Sequence, residues 1–563
     1  MNTRQDMCIF FFFLLLLTMP LFAQDGITGE WQGMLATQHL VLHFDQTATF
    51  TAVDQNVTIA IDVVTFHAPA LHLEIKRAGA TYDGTLSDDG SEIAGTWQQG
   101  GHSIPLTLHR PGTVAKSTLK PRTIGSVALI PCRTQDGNTE ALCGKYEVFE
   151  NRQSGRTITL NIMVLPALTD KPAADPWFPL AGGPGQSATE LFPLLGVTSK
   201  IRQQRDVILV DQRGTGGSNR LACSLRDPND VQAVIDETVS MENIRVCRDT
   251  LSKTADLTQY TTTNAVDDLD DVRHAMGFDK INLFGDSYGT RAALVYLRRH
   301  GEHVRTIALE AVAPPSYRLF VGFPKTIAES IHRLLDRCET DASCHHDFPD
   351  PKKEYETIVA RLRKSPAKTE VKSQSVAISL DTFTGDLRPM IYIPELAAQL
   401  PYILHTAYQN DWRPFASAAY LARTAIDQTV ARGMATSVLC AEDIPGVSAS
   451  EARHASFQYR LYEGICREWP HVAANKDFYS PVQSNVPALL ISGALDPATP
   501  PQTAYDAARH LPNSQVVVIK DGSHATASPC IDALITAFLA QDKSLDTSCV
   551  DQIHLPPFRR AQP

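Results

Sequence analysis

The chain has 563 residues, 43% of them hydrophobic and 20% charged, and a formal net charge of −11. That length exceeds what one hydrophobic core serves, so two or more domains are expected. The ordinary apolar and charged fractions exclude a disordered or coiled-coil protein, and acidity without a clustered basic patch excludes nucleic acid as an expected partner. At the N-terminus, Arg4 precedes an unbroken apolar run from Ile9 to Leu17, and the stretch ends at Leu21-Phe22-Ala23. The run is short for a bilayer span and has a small residue at the candidate cleavage point. Residues 1–23 are therefore read as a signal peptide cut after Ala23, with a retained membrane anchor as the alternative. The mature chain is expected to be secreted or periplasmic, without membrane contact after the cut.

Cysteine usage agrees with export. Of eleven cysteines, Cys8 leaves with the leader and an even number remains. These fall as near neighbours: Cys132 and Cys143, Cys223 and Cys247, Cys338 and Cys344, Cys440 and Cys466, Cys530 and Cys549. Such spacing suits local disulfides in an oxidising compartment, although sequence leaves the connectivity open. A zinc site is the weaker alternative, because no C-x-x-C spacing occurs.

Residues 24–112 carry short alternating runs, such as Leu40 to Phe44 and Ala70 to Ile75, separated by Asp/Gly turns. They predict a small all-β barrel or sandwich. Trp31 and Trp97 are read as core residues of that domain. The other reading makes them stacking platforms for a glycan, and a surface or glycan ligand is the partner it would imply. Pro111 to Thr123 reads as a linker. Residues 119–320 then alternate β-branched strands (Ile158 to Leu165, Val207 to Val210, Ile281 to Phe284, Val304 to Leu309) with helices (Asn264 to Met276, Ala292 to Arg299). That alternation predicts a mainly parallel sheet covered on both faces, an α/β domain. Residues 321–483 read as a helical cap. Strand–helix alternation returns over 484–557 and completes the interrupted domain.

The chemistry lies in Gly285-Asp286-Ser287-Tyr288-Gly289, between a strand and a helix. This G-x-S-x-G turn lifts the Ser287 hydroxyl out at the strand's end. A serine nucleophile needs a base, and the base needs an orienting carboxylate. Both follow in order on post-strand loops: Asp496 in Gly493 to Pro500, and His524 in Lys520 to His524. The oxyanion donors are expected at the backbone amides of Tyr288 and of Gly183, in Gly182-Gly183-Pro184-Gly185. No metal or cofactor is required.

With Asp211-Gln212-Arg213-Gly214-Thr215-Gly216-Gly217-Ser218 added, these motifs resemble the proline iminopeptidase and tripeptidyl aminopeptidase family of α/β-hydrolases. The likeness covers about Leu142 to Cys549, and the closer likeness is to its secreted tripeptidyl-aminopeptidase-like branch. The resemblance implies an α/β-hydrolase fold with a cap, and an exopeptidase that takes a peptide substrate by its free N-terminus. Ala181 stands where proline iminopeptidases usually carry His, which argues against strict proline specificity. By analogy, acidic residues of the cap region hold the substrate α-amine. Glu442 in Cys440-Ala441-Glu442-Asp443 is the candidate, and Glu310 is the second. Asp211 and Arg213 are expected to form a buried pair in a loop that shapes the pocket floor. A carboxylic-ester hydrolase with the same triad, and a non-catalytic adhesion protein on this fold, are the alternative functions.

Overall fold

The computed structural model describes residues 26–561, apart from 36–37, 46, 54–56, 100–101, 112–116, 138, 196–199, 238, 527 and 542–544. The expected leader and Cys8 lie outside the described residues. The chain divides into two compact units at 116/117, with 136–138 sorting with the first.

The first unit is all β. Its strands are β1 (Gly29–Leu35), β2 (Gln38–Phe44), β3 (Thr49–Ala52), β4 (Val57–Ala60), β5 (Val63–His67), β6 (Ala70–Ile75), β7 (Ala80–Leu86), β8 (Glu92–Gln99) and β9 (His102–His109). They form one sheet in the order β4-β3-β2-β1-β9-β8-β7-β6-β5. Alternate residues point to one face, as in β6, where Leu71, Leu73 and Ile75 are buried. Phe50 on β3 stacks on Trp97 on β8 at 5.3 Å. Those strands are four places apart in the sheet, so the sheet curls over and closes its apolar face on itself. Trp31 and Trp97 are 0% and 1% exposed. They fill this core and offer no ring to a glycan.

The second unit holds a ten-stranded sheet. Its strands are β10 (Arg122–Ile124), β11 (Val127–Arg133), β12 (Glu140–Asn151), β13 (Arg156–Leu165), β14 (Trp177–Leu180), β15 (Val207–Val210), β16 (Ile281–Asp286), β17 (Val304–Glu310), β20 (Ala488–Gly493) and β21 (Ser514–Ile519), in the order β10-β11-β12-β13-β15-β14-β16-β17-β20-β21. From β15 to β21 every neighbouring pair is parallel. The inner parallel strands β14, β15, β16 and β20 are buried along their whole length, as their apolar runs predict. Ile281 and Leu283 of β16 join one apolar core with Leu269 and Val272 of the helix Thr262–Ala275, whereas Phe284 joins the core on the other face with Phe538 of the helix Pro529–Gln541.

Between β17 and β20 the chain leaves the sheet and forms the cap. Five helices, Leu319–Thr340, Pro351–Leu362, Leu380–Tyr392, Leu400–Tyr408 and Arg413–Thr429, surround a core that includes Ile331, Phe383, Leu404 and Phe415. The cap also contains a hairpin, β18 (Ala367–Val371) and β19 (Gln374–Ile378), that the helical reading does not predict. Its turn residues Lys372 and Ser373 both have positive φ, the twist a two-residue hairpin requires, but neither is the glycine or asparagine that usually signals one. The ten described cysteines form the five disulfides 132–143, 223–247, 338–344, 440–466 and 530–549, so none of them is a free metal ligand. Among the described residues no helix is long and apolar enough to cross a membrane.

Candidate active site

Strand β16 ends at Asp286, and the helix Tyr288–His300 begins directly after Ser287. Ser287 itself has φ 54°. This is a strained conformation for a side chain without local hydrogen-bonding benefit, and it aims the hydroxyl away from both elements. The turn is closed by Ser287 N–H donating to the Glu310 carbonyl at 2.9 Å, and by the Thr290 hydroxyl donating to the Ser287 carbonyl at 2.6 Å. Gly289 has no alternative here, because a Cβ would lie 1.9 Å from the Leu180 carbonyl oxygen.

His524, on the loop after β21, places Nε2 at 2.9 Å from Ser287 Oγ and Nδ1 at 2.8 Å from Asp496 Oδ2. Asp496 lies on the turn after β20 and is fully buried. Its Oδ1 accepts from the amides of Ala498 and Thr499, and its Oδ2 also accepts from the Thr499 hydroxyl at 2.7 Å. Burial opposes ionisation of Asp496, but the charge and hydrogen bond of His524, with the two hydrogen bonds from Thr499, hold its carboxyl below the usual carboxylate range. For His524 burial disfavours the cation, but the Asp496 carboxylate outweighs it and raises the imidazole above its ordinary value. Tyr392, at the end of a cap helix, stacks on His524 with ring centroids 4.4 Å apart. The three side chains thus form one hydrogen-bonded chain that can draw the proton from the serine hydroxyl and stabilise the imidazolium that results.

Gly183 lines the same cavity as Ser287 and His524 and has φ +104°, a region that favours glycine. A Cβ on its neighbour Gly182 would stand 3.2 Å from Ser287 Cβ, so this loop runs beside Ser287. Tyr288 is the first residue of the helix, and its side-chain hydroxyl is bonded away from the cavity to Thr262 Oγ1 at 2.8 Å.

The cavity has a volume of about 310 Å³ and lies between the strand ends and the cap. Its lining includes Ser287, His524, Phe320, Phe323 and the acidic residues Glu237, Asp286 and Asp427. Glu237 is held ionised, at about 2: burial is overcome by Arg423, with Arg226, Arg388 and Arg432 adding to it.

Three sequence-based expectations are corrected. Glu442 does not line the cavity. Its carboxylate accepts from the Thr262 amide and hydroxyl, each at 2.7 Å, and lies 3.8 Å from Arg291. Next to it, Asp443 receives Arg291 at 2.7 and 3.1 Å. The Cys-Ala-Glu-Asp segment therefore clasps the cap to the helix after Ser287, and its acids answer internal donors that sequence cannot show. Glu310 also lies outside the cavity lining. It sits beside Asp286 at the paired ends of β16 and β17, and burial followed by repulsion from Asp286 pushes it up to about 8. Asp211 and Arg213 do not pair. Arg213 makes a two-pronged ion pair with Asp268, both bonds at 2.7 Å. Asp211 accepts from Ser187, Thr189, Asn161 and the Gly217 amide. It braces the segment after Gly183 rather than flooring the cavity.

Sequence reasoning missed Thr499, Tyr392, Glu237 and Asp427. Thr499 had a local signal, being the third residue after Asp496 on a turn. The others come from segments distant in sequence and carried none.

The model of the alpha/beta hydrolase fold family matches residues 180–527, which span the Ser287 turn and the loops of Asp496 and His524. Over 468 residues the chain is 25% identical to the serine protease Hip1 of Mycobacterium tuberculosis, covering 73% of this chain and 88% of that protein. It is 34% identical over 153 residues to a tripeptidyl aminopeptidase of Streptomyces coelicolor, covering 24% of this chain and 28% of that protein. The solved structure of a proline iminopeptidase from Mycobacterium smegmatis is 18% identical, with a TM-score of 0.32, and the match covers 71% of this chain and 98% of that one. The chain belongs to the α/β-hydrolase fold family.

Proposed function

We propose that this protein is an extracytoplasmic serine peptidase of the aminopeptidase type, with Ser287 as nucleophile, His524 as general base and acid, and Asp496 as the orienting carboxylate. The observation that carries this reading is the continuous chain Ser287–His524–Asp496, at 2.9 and 2.8 Å, opening into a capped cavity. His524 takes the Ser287 proton as the hydroxyl attacks the scissile carbonyl. The amides of Gly183 and Tyr288 receive the oxyanion. His524 then protonates the departing amine, and water releases the acyl-enzyme with the roles reversed.

The similarity to a serine protease and to tripeptidyl aminopeptidases supports a peptide over a simple ester. The cap supports action at chain ends, because it covers the approach that an internal segment of a folded protein would need. Of the acids in the cavity, Glu237 and Asp427 replace Glu442 and Glu310 as the carboxylates that can meet a substrate α-amine. The five disulfides support an oxidising compartment.

The test is hydrolysis of free and N-blocked mono-, di- and tripeptide amides and of short acyl esters, by wild type and Ser287→Ala side by side. Turnover of free but not blocked peptides, absent from the variant, is the expected result. Ester turnover without amide turnover would establish the esterase instead.

A further inference from the structure

The cavity beside Ser287 contains three arginines, and they are not equivalent. Arg423 is paired with Glu237 and Asp386, each at 2.6 Å. Arg432 is paired with Asp427. Arg388 has no carboxylate within ion-pair distance among the described residues. Its Nη1 donates to the Tyr392 hydroxyl at 3.0 Å, its guanidinium lies over the Phe323 ring at 4.8 Å, and its Nε is buried without a hydrogen-bond partner.

Arg388 is half-buried and has no carboxylate in direct contact, because Glu237, whose charge it helps to hold, is engaged by Arg423; a cation so placed is ordinarily found where a ligand completes the pairing. The position of Arg388 says which part of a ligand. It sits one helical turn before Tyr392, whose hydroxyl it holds, and the ring of Tyr392 lies flat on His524. The guanidinium is therefore one aromatic ring away from the imidazole that faces Ser287. A group it binds belongs to a residue flanking the scissile bond.

We propose that Arg388 is a specificity-determining residue that binds a carboxylate carried by the substrate next to the scissile bond. The inference rests on the proposed peptidase reading for the identity of that bond, but not for the binding itself. Two sources share this chemistry: the side chain of an aspartate or glutamate, and the free C-terminal carboxylate of a short peptide released one residue beyond the cut. Arginine suits either, because its planar fork matches a carboxylate and its charge is permanent. The aromatic floor of Phe323 and Tyr392 keeps water from one face of the pair and so strengthens it.

The experiment compares matched substrates on wild type, Arg388→Gln and Arg388→Lys. One arm pairs peptide amides ending in glutamate with those ending in glutamine at the cleaved bond. A second pairs tetrapeptides with free and amidated C-termini. A third pairs the p-nitrophenyl ester of glutaric acid with that of its monoamide, so the carboxylate preference is readable even if no peptide is cleaved. Each result is a ratio of kcat/KM values on one preparation, and so does not depend on how much of a variant is folded. A charge-assisted pair in a shielded site predicts a ratio of about 10- to 100-fold in favour of the carboxylate in one of the first two arms. Arg388→Gln brings that ratio to about one, and Arg388→Lys restores part of it. Which arm responds identifies the source. A wild-type ratio near one in all three arms, or a preference that survives Arg388→Gln, overturns the proposal. Loss of all peptide turnover with a carboxylate preference kept on the ester overturns the peptidase reading and leaves the Arg388 site standing.

Discussion

Replacing Glu442 by glutamine separates the role read from sequence from the role seen in the fold. The side chain is 2% exposed, accepts two hydrogen bonds from Thr262, and lies 3.8 Å from an Arg291 already claimed by Asp443. Burial lifts its carboxyl to about 7, although Arg291 and the Thr262 hydrogen bonds pull the other way. A carboxyl raised in the folded state favours folding most below its unfolded value, near 4.5. That contribution is lost as the pH rises through about 7. The difference, about 2.5 units, corresponds to roughly 3 kcal/mol at about 1.4 kcal/mol per unit. Glutamine is neutral at every pH, keeps an acceptor for the Thr262 amide and can donate to its hydroxyl. Glu442→Gln should therefore be at least as stable as wild type at pH 8, by up to about 3 kcal/mol, with the difference closing towards pH 5. Its KM for a free tripeptide amide should be unchanged. Calorimetric melting across that pH range and steady-state kinetics read both quantities. A loss of more than about 1 kcal/mol at pH 8, or a KM raised tenfold for free but not blocked substrates, would refute this account and return Glu442 to the amine site.

The orienting role proposed for Asp496 predicts that Asp496→Asn lowers kcat by about 10³- to 10⁴-fold, since an amide facing Nδ1 selects the wrong imidazole tautomer; a loss under tenfold would show that another group orients His524. Because the Asp496 carboxylate raises the imidazole, and the base must be neutral, kcat/KM should rise with pH through a midpoint above the ordinary histidine value of 6.5; a midpoint at or below it contradicts the pairing. Thr499→Val removes one bond to Asp496 and keeps the shape, so kcat should fall by about 3- to 10-fold with KM unchanged, and a larger KM effect would count against a purely positioning role. Removing Asp443 alone leaves Arg291 buried with only the Tyr317 carbonyl and a more distant Glu442, at a cost of about 3–5 kcal/mol. The double variant Arg291→Met, Asp443→Leu should cost less than either single change, and additive losses in a double-mutant cycle would show that the pair is not coupled.

Much of the molecule was legible because its signals are local. The β16 turn is written in five consecutive residues, and the need for glycine at position 289 is a contact within that turn and its neighbouring strand. The apolar runs of β15, β16 and β20 are buried on both faces, the pattern expected of a parallel sheet covered by helices. Asp496 and His524 were found because strand order fixes where their loops emerge, and near-neighbour cysteines foreshadowed all five bridges. What sequence could not decide is which partner answers a buried charge. Arg213 passes over Asp211, two residues away, for Asp268, and Glu442 turns from the substrate side to Thr262, because burial makes each ion take whichever donor or acceptor the packed helices deliver. Glu237 reaches the cavity from the segment before the cap, and Arg388 and Tyr392 reach it from one cap helix. Their meeting, and the Arg388 guanidinium left without a direct ion pair, exist only once the cap has folded over the strand ends.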